Sequence, residues 1–311
     1  MRLAALDLGT NTFHLLIAEK RTGVKFLLKK TRVVKLGREG FNNGLISSPA
    51  FARGINALKI FSGYLKNFKP DHTVALATSA LRHCRNGGDF IREGEKILGS
   101  KIEIIDGEKE AELIYLGVKN SFAIHDKPVL IMDVGGGSVE FIIATGKNIL
   151  WKKSIEAGAA RLLEKFALSD PLNKKEQAAI EKYLSGKFSE VFKNTRKYKP
   201  QIMVGSSGSF DSLALMLAHR KNRTAAYRRQ TVFKIPLGDY FSLHRKLLSS
   251  TKKQRLKMKG LHRMRVDMIV HASICIYLTL ENSGIKKLFR SAYSLKEGVV
   301  FGEFDIKPGP R

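Results

Sequence analysis

Two short turns, rich in small residues, hold the side chains with the clearest chemical potential. They are DLGTNT at residues 7–12 and DVGGGS at residues 133–138. Each begins with an aspartate and lies between two apolar stretches, within residues 3–19 and 129–144. Glycine lets the backbone approach a ligand closely and present its N–H groups to an anion. Two such turns facing each other would form a phosphate clamp with two carboxylates at its mouth, which favours phosphoryl chemistry.

The apolar stretches that flank each turn predict strand–turn–strand hairpins. A single Asp-x-Gly-x turn is typical of an ordinary tight hairpin. Two copies, each followed by Thr or Ser, favour a shared phosphate-binding role instead. The candidate phosphate ligands in these turns are Gly9, Thr10, Asn11, Gly136, Gly137 and Ser138.

Two further segments follow predicted strands and precede predicted helices. In the first, Thr78 and Ser79 lie at a helix start, where N–H groups and the helix dipole bind phosphate, and Arg82 adds a bidentate donor. An ordinary helix cap with a surface arginine is the alternative. The second segment is a weaker phosphate-loop pattern ahead of a helix predicted from about Phe210, and its candidates are Gly205, Ser206, Ser207 and Gly208.

The order of elements predicts two α/β domains with a cleft between them, because each half opens with a hairpin and then mixes strands with helices. We assign residues 1–122 to the first domain and 123–293 to the second, with the tail at about 294–311 as a candidate to pack back on the first. Strands are predicted at 3–8, 13–19, 24–29, 73–77, 101–105, 128–133, 139–145, 201–204 and 287–291. Helices are predicted at 49–67, 87–98, 107–120, 173–193, 264–282 and 294–302.

The composition indicates a cytoplasmic protein without a membrane span. The chain has 311 residues, 43% of them hydrophobic, which suits two domains. No stretch approaches the roughly 20 uninterrupted apolar residues that cross a bilayer, and the first residues do not resemble a secretion leader. Cys84 and Cys275 lack metal-ligand spacing, so we expect reduced thiols.

The formal net charge of +27 is concentrated late in the chain. Between Asp211 and Asp267 the only acidic residue is Asp239. A field of this sign attracts polyanions such as polyphosphate, highly phosphorylated nucleotides or nucleic acid, the last only non-specifically. A solvated basic surface is the alternative. The candidate polyanion-binding residues are Lys252, Lys253, Arg255, Lys257, Arg263 and Arg265.

Five segments resemble the exopolyphosphatase/guanosine pentaphosphate phosphohydrolase family of the actin–Hsp70–sugar kinase superfamily. They are ALDLGTNTFHLLI, LATSALRHCRNG, DGEKEAELIYLGV, IMDVGGGSVEFII and VGSSGSFDSL, with a weaker sixth match at MRVDMIVHASICIYLTL and SAYSLKEGVV. The resemblance covers nearly the whole chain. It implies an α/β fold of two ribonuclease H-like (actin-like ATPase) domains that flank a central cleft, in the short, two-domain form of the family.

The resemblance places a catalytic base at Glu110, which would orient and deprotonate the attacking water. The chain departs from the family at Glu112, where relatives often have Arg. The side chains of residues two positions apart on a helix differ in direction by about 200°, so Glu112 should point away from the target of Glu110. His271 stands where relatives commonly have Gly, and we expect it to be buried and neutral.

Three carboxylates are the natural metal ligands: Asp7, Asp133 and Glu140. Mg²⁺ prefers oxygen ligands and keeps water and substrate phosphate in its shell, and Mn²⁺ would serve similarly. Glu140 could otherwise be an exposed strand residue, but the resemblance places a functional glutamate there.

The leading interpretation is an exopolyphosphatase that uses Mg²⁺ (or Mn²⁺) and water, with Arg82 offsetting developing charge and the basic stretch holding the rest of the chain. Hydrolysis of guanosine pentaphosphate is the alternative within the family. A sugar kinase is disfavoured by LATSALRHCRNG, and a non-catalytic polyphosphate- or nucleic-acid-binding protein is disfavoured by the retained carboxylates. A homodimer is left open.

Overall fold

Two β-sheets, one from each half of the chain, form the framework of the computed structural model, which describes residues 1–38, 44–166 and 169–305. The strands are β1 (Arg2–Leu8), β2 (Thr12–Lys20), β3 (Val24–Val33), β4 (His72–Ala77), β5 (Ile102–Ile104), β6 (Val129–Val134), β7 (Val139–Ala144), β8 (Ile149–Ile155), β9 (Ile202–Ser206), β10 (Val232–Ile235) and β11 (Lys287–Ser291).

The helices lie between and after these strands, together with a 3₁₀ helix at Arg263–Arg265. They are α1 (Ser48–Phe68), α2 (Ser79–His83), α3 (Gly87–Leu98), α4 (Gly107–Lys119), α5 (Ala159–Lys165), α6 (Lys174–Lys187), α7 (Ser189–Tyr198), α8 (Ser207–Arg220), α9 (Thr224–Arg229), α10 (Leu237–Leu248), α11 (Lys252–Arg255), α12 (Ile269–Asn282) and α13 (Leu295–Glu303).

The two sheets repeat one strand order, which confirms the predicted fold class. Within the described residues, the first sheet runs β3-β2-β1-β4-β5 and the second runs β10-β11-β9-β6-β7-β8. The strand β1 is antiparallel to β2 and parallel to β4, just as β6 is antiparallel to β7 and parallel to β9. The hairpin repeat in the sequence is therefore the start of a repeated ribonuclease H-like sheet.

Strand register places the repeated carboxylates at corresponding points of the two sheets. Asp7 on β1 is paired with His14 on β2, and Asp133 on β6 is paired with Glu140 on β7. Directly paired residues project from the same face of a sheet and lie next to each other. Asp133 and Glu140 are therefore side by side.

The helices α4 and α13 lie between the two sheets. One core cluster contains Ala5 of β1, Ile131 of β6, Ile114 of α4 and Val300 of α13, all essentially inaccessible to solvent. The helix α13 packs on α4, β1 and β2, so the end of the chain returns to the first sheet. Residues 306–311 of the predicted tail lie outside the described residues.

The two helices cross with their backbones in contact. A Cβ added at Gly298 of α13 would overlap the carbonyl oxygen of Leu113 in α4. A Cβ added at Gly117 of α4 would overlap the carbonyl oxygen of Ser294, which precedes α13. Glycine at these positions brings the first turns of both helices to the same end of the sheets.

Replacing Gly298 with Ala should lower the free energy of unfolding by about 1–3 kcal/mol, because the added methyl group must separate two backbones. Gly302→Ala, in the same helix, is the matched control, since its Cβ would meet only Leu116 Cδ1 at 3.6 Å. Alanine there should stabilise the protein by about 0.5–1 kcal/mol relative to glycine. Urea unfolding measures both changes, and equal midpoints would refute the close helix crossing.

Several predicted boundaries were wrong. The helix predicted at 173–193 is two helices, α6 and α7, which meet at the buried residue Phe188. The helix predicted at 264–282 begins only at Ile269, because the chain first forms the separate 3₁₀ helix at Arg263–Arg265. The strands β8 and β10 were not predicted, since β8 lacks a regular alternation of buried and exposed residues and β10 has only four residues.

Two further predictions can be compared with the structure. Cys84 and Cys275 are buried free thiols, as expected. In the described part of the chain, we find no helix that combines the length and the apolar character of a membrane span.

Candidate active site

The two repeated turns both line one cleft, which has a volume of about 330 Å³. A Cβ added at Gly136 would lie 3.1 Å from Thr10 Cβ. One added at Gly137 would lie 2.6 Å from Thr10 Oγ1 and would overlap Ser79 Oγ. The second turn thus lies against both the first turn and the start of α2, and any side chain at Gly137 would fill the space between them.

Most of the predicted site residues line this cleft, although they come from both halves of the chain. Those that do are Asp7, Gly9, Thr10, Asn11, Thr78, Ser79, Glu110, Asp133, Gly136, Gly137, Ser138, Glu140, Ser207, Gly208 and Arg265.

Three buried polar groups in the cleft have no hydrogen-bond partner among the described residues. They are Thr10 Oγ1, Asn11 Nδ2 and Ser79 Oγ. An unpaired buried polar group costs free energy, so such groups are rare unless a ligand completes them. Two hydroxyls and an amide can all donate to the oxygens of a phosphate.

The paired carboxylates are held by serine hydroxyls. Ser206 Oγ donates to Asp133 at 2.6 Å, and Ser154 Oγ donates to Glu140 at 2.8 Å. Burial, with a further contribution from the charge of Asp133, raises the pKa of Asp7 and of Glu140 to about 7. The protein by itself therefore does not fully offset their negative charge.

The described lining of the cleft holds more acidic than basic groups. Its carboxylates are Asp7, Glu110, Asp133, Glu140 and Asp211, and its permanent cations are Arg265 and Lys296. A phosphate chain would enter this cleft against net repulsion unless a cation entered with it. The predicted Mg²⁺ fits this imbalance.

Among residues 1–38, 44–166 and 169–305, however, no three or more His, Cys, Asp or Glu side chains are grouped closely enough to hold a metal ion. Mg²⁺ is commonly bound by one or two carboxylates together with waters and substrate phosphates. Asp7, Asp133 and Glu140 suit that incomplete form of site.

Glu110 lies in the first turn of α4, with 8% of its surface exposed. The helix begins there because the Asp106 side chain accepts from the Lys109 N–H at 2.7 Å. Burial, followed by the charge of Glu140, raises the pKa of Glu110 well above its usual range, while Arg82 lowers it. A carboxylate with a raised pKa at the edge of a phosphate clamp is suited to accept a proton from water.

Arg82 is not among the residues that line the cleft, and its predicted contact with the reacting phosphate stays a prediction. Its Nη1 donates to the Ile105 carbonyl at 2.6 Å and lies 3.5 Å from Glu110 Oε2. The guanidinium is directed to the start of α4, so Arg82 positions Glu110.

Gly205 and Ser206 also lie outside the cleft, because they end β9 and do not form a loop. Gly205 leaves room for the Phe210 ring, and Ser206 bonds Asp133. Ser207 and Gly208 remain in the cleft as the first residues of α8.

The predicted polyanion-binding cluster divides into structural and exposed residues. Arg255 is 7% exposed, pairs with Asp170 at 3.0 Å and donates to the carbonyl of Ser250, so the binding role predicted for it was wrong. Lys252 pairs with Asp267 at 2.7 Å. Arg265 alone of the six lines the cleft, where a Cβ at Gly208 would overlap its guanidinium. The others, Lys253, Lys257 and Arg263, are exposed.

Sequence reasoning missed Lys296, a cation in the cleft at the start of α13. Its Nζ lies 3.2 Å from Glu297, which also pairs with Lys29 at 3.1 Å. Burial alone would lower the pKa of Lys296, but Glu297 and Asp7 outweigh it, so its pKa is raised and it stays protonated. The signal was the capping box from Ser294 to Glu297, which marks a helix start beside Lys296.

His14 was also missed. Its ring bonds Thr12 and Thr31, each at 2.9 Å, and it faces the cleft beside Asp7. Burial, with Lys296 and Arg265 nearby, lowers the pKa of His14 well below its usual range. His14 is therefore a neutral hydrogen-bonding residue and adds no charge.

Both departures from the family pattern behave as predicted. Glu112 points away from the cleft and pairs with Lys152 at 2.6 Å. His271 is buried, and burial lowers its pKa to about 4, so it is neutral.

Comparison with known proteins places the whole chain among phosphatases. The model of the Ppx/GppA phosphatase family matches residues 16–306. An exopolyphosphatase from Cytophaga hutchinsonii is 35% identical, with a TM-score of 0.95 and 100% of both chains covered. A Ppx/GppA family member from Aquifex aeolicus is 25% identical, with a TM-score of 0.81 over 98% of this chain and 97% of that one.

Proposed function

Because this chain belongs to the Ppx/GppA phosphatase family, and is therefore a phosphoanhydride hydrolase, we propose that it removes the terminal phosphate from inorganic polyphosphate. The observation that carries this proposal is the set of unpaired donors at Thr10, Asn11 and Ser79, enclosed by two glycine turns beside Glu110. The similarity to a structure described as an exopolyphosphatase supports the choice of substrate.

The terminal phosphate would bind in the cleft that the two turns line. Thr10, Asn11 and Ser79 supply donors that are already desolvated, so binding a phosphate satisfies them rather than costing further desolvation. The helices α8 and α13 both begin at the cleft, through Ser207 and Leu295, and helix N-termini stabilise anions.

Glu110 would take the proton of the attacking water. Its carboxylate is fixed by the start of α4 and by Arg82. The raised pKa makes it a stronger base than an exposed glutamate once it is ionised. Catalysis of this kind depends mostly on positioning and electrostatics.

Lys296 and Arg265 would offset the negative charge of the bound phosphates. Both line the cleft, and Lys296 remains protonated because the charges of Glu297 and Asp7 raise its pKa. Gly208 leaves the space that the Arg265 guanidinium occupies. These two cations are too few for the acidic lining, which is why we include a divalent cation in the proposal.

Mg²⁺, held by one or two of Asp7, Asp133 and Glu140, would neutralise phosphate oxygens when bound. Ser206 and Ser154 orient two of these carboxylates toward their places in the cleft.

The substrate is tested by measuring phosphate release from long polyphosphate, short polyphosphate and guanosine pentaphosphate side by side. We expect turnover on both polyphosphates. Turnover on guanosine pentaphosphate alone would assign the other activity of the family. Binding of all three without phosphate release would indicate a binding protein and overturn the assignment as an enzyme.

Long chains should depend on exposed cations outside the cleft. Replacing Lys253 and Arg263 with Glu should weaken binding of long polyphosphate by about tenfold and reduce its salt dependence. Each phosphate contact releases a counterion from the polyphosphate on binding, so losing contacts lowers the number of counterions released. Triphosphate, which reaches only the cleft, should bind unchanged. Affinities measured across a salt series test this.

The matched control is Lys182→Glu with Lys193→Glu, which makes the same change in net charge on exposed residues of α6 and α7. An equal loss in the control would show that only overall charge matters. An equal loss for triphosphate would place Lys253 and Arg263 in the cleft instead.

A further inference from the structure

A second cavity, of about 570 Å³, lies further along α8 than the cleft. The first turn of α8 lines the cleft through Ser207 and Gly208, whereas its last turns line the second cavity through Met216, His219 and Arg220. Residues of α10 and of the segment that follows it, together with residues of α11 and of the segment after α11, complete the wall. None of the predicted catalytic or metal-binding residues borders it.

The charge of this cavity is opposite to that of the cleft. Four permanent cations line it: Arg220, Lys246, Lys257 and Lys259. Its described lining includes no carboxylate, and within the described ranges we find no ion pair for any of the four. Cations that converge on a cavity without counter-charges attract an anion, and no metal ion is needed to admit it.

The floor of the cavity is apolar. It is formed by Met216 and Leu243, which are buried, and by the half-buried Met258. Thioether sulfurs and their methylenes pack well against aromatic rings. An inorganic phosphate chain would leave this floor uncovered, whereas a planar base would cover it.

We propose that this cavity is a second ligand site, which binds a purine nucleotide with several phosphates. The base would lie on the floor of Met216, Leu243 and Met258. The phosphates would contact the four cations that line the cavity, which we call the rim cations. The proposal does not depend on which phosphoanhydride the cleft hydrolyses.

The segment at residues 257–260 borders both sites. Lys257, Met258 and Lys259 line the second cavity, and Gly260 lines the cleft. Gly260 has φ +88°, and a Cβ there would lie 2.7 Å from the Met216 backbone nitrogen. An occupant of the cavity therefore contacts a segment that packs tightly on α8 and leads to Arg265.

The test is binding of fluorescent methylanthraniloyl-ATP to the full chain. Arg220→Glu with Lys246→Glu should weaken binding by about tenfold or more, since two attractions become repulsions. Lys182→Glu with Lys193→Glu makes the same change in net charge elsewhere and should not weaken it. Gly137→Ala, which closes the phosphate clamp, should also leave binding intact. Thermal unfolding midpoints check that each variant is folded.

Competition by unlabelled compounds tests recognition of the base. ATP should displace the probe at a concentration about tenfold lower than inorganic triphosphate, because triphosphate cannot cover the apolar floor. Equal potency would overturn the nucleotide assignment. Loss of binding in Gly137→Ala, with no loss in the rim variant, would place the nucleotide in the cleft and overturn the second site. These outcomes are separate from phosphate release, so they do not depend on the proposed hydrolysis.

Discussion

Replacing Glu110 with Gln should reduce phosphate release from polyphosphate by about 10²–10⁴-fold, the usual effect of losing a positioned general base. Glutamine keeps the shape of the side chain in its buried place, but it cannot accept a proton. Binding of polyphosphate should remain, because the donors Thr10, Asn11 and Ser79 are unchanged. Single-turnover phosphate release, measured together with equilibrium binding, separates the two effects.

Glu112→Gln is the matched control, since Glu112 lies in the same helix but faces Lys152. It should retain nearly full activity. Near-wild-type turnover in Glu110→Gln would assign the base to another group. An equal loss in both variants would point to damage to α4.

The rate should also rise with pH across the titration of Glu110. Only the ionised carboxylate accepts a proton, and burial followed by the charge of Glu140 raises its pKa. The acid limb of the profile should therefore lie above the usual titration range of glutamate, and it should disappear in Glu110→Gln. A limb within the ordinary glutamate range would contradict the raised pKa.

Removing divalent cations should abolish turnover, and adding Mg²⁺ or Mn²⁺ should restore it. The described cleft lining places five carboxylates against two permanent cations, so a polyphosphate needs an added cation to enter. Glu140→Ala should raise the metal concentration for half-maximal activity by at least about tenfold. A titration of activity with Mg²⁺ after exhaustive chelation measures both.

Glu112→Ala is the control for Glu140→Ala in this titration. It also removes one carboxylate, but Glu112 pairs with Lys152 and does not line the cleft. Its metal dependence should match the wild type. Full activity in excess chelator would exclude the metal requirement, and an unchanged titration in Glu140→Ala would show that Glu140 is not a ligand.

The hairpin repeat and most of the elements around the cleft could be predicted from local sequence patterns. The strands β1, β2, β6 and β7 and the helices α1, α3 and α4 lie within about two residues of their predicted bounds, because alternation and helical periodicity are local properties. Helix geometry was also sufficient to predict that Glu112 points away from the cleft, since the side chains of residues two positions apart on a helix differ in direction by about 200°. Glycine and aspartate in both turns likewise identified two of the segments that line the cleft.

The partners of the charged side chains depend on the fold and could not be predicted from the sequence. Arg255 and Arg265 have the same residue type and similar basic neighbours, yet one is buried on Asp170 and the other lines the cleft. Arg82 contacts Glu110, and Lys296, from the far end of the chain, lines the same cleft as Asp7. The partner of a long flexible side chain is the charged group that lies close to it in the folded protein. Those distances are fixed by strand register and by the helix crossing at Gly298, which depend on residues far apart in sequence.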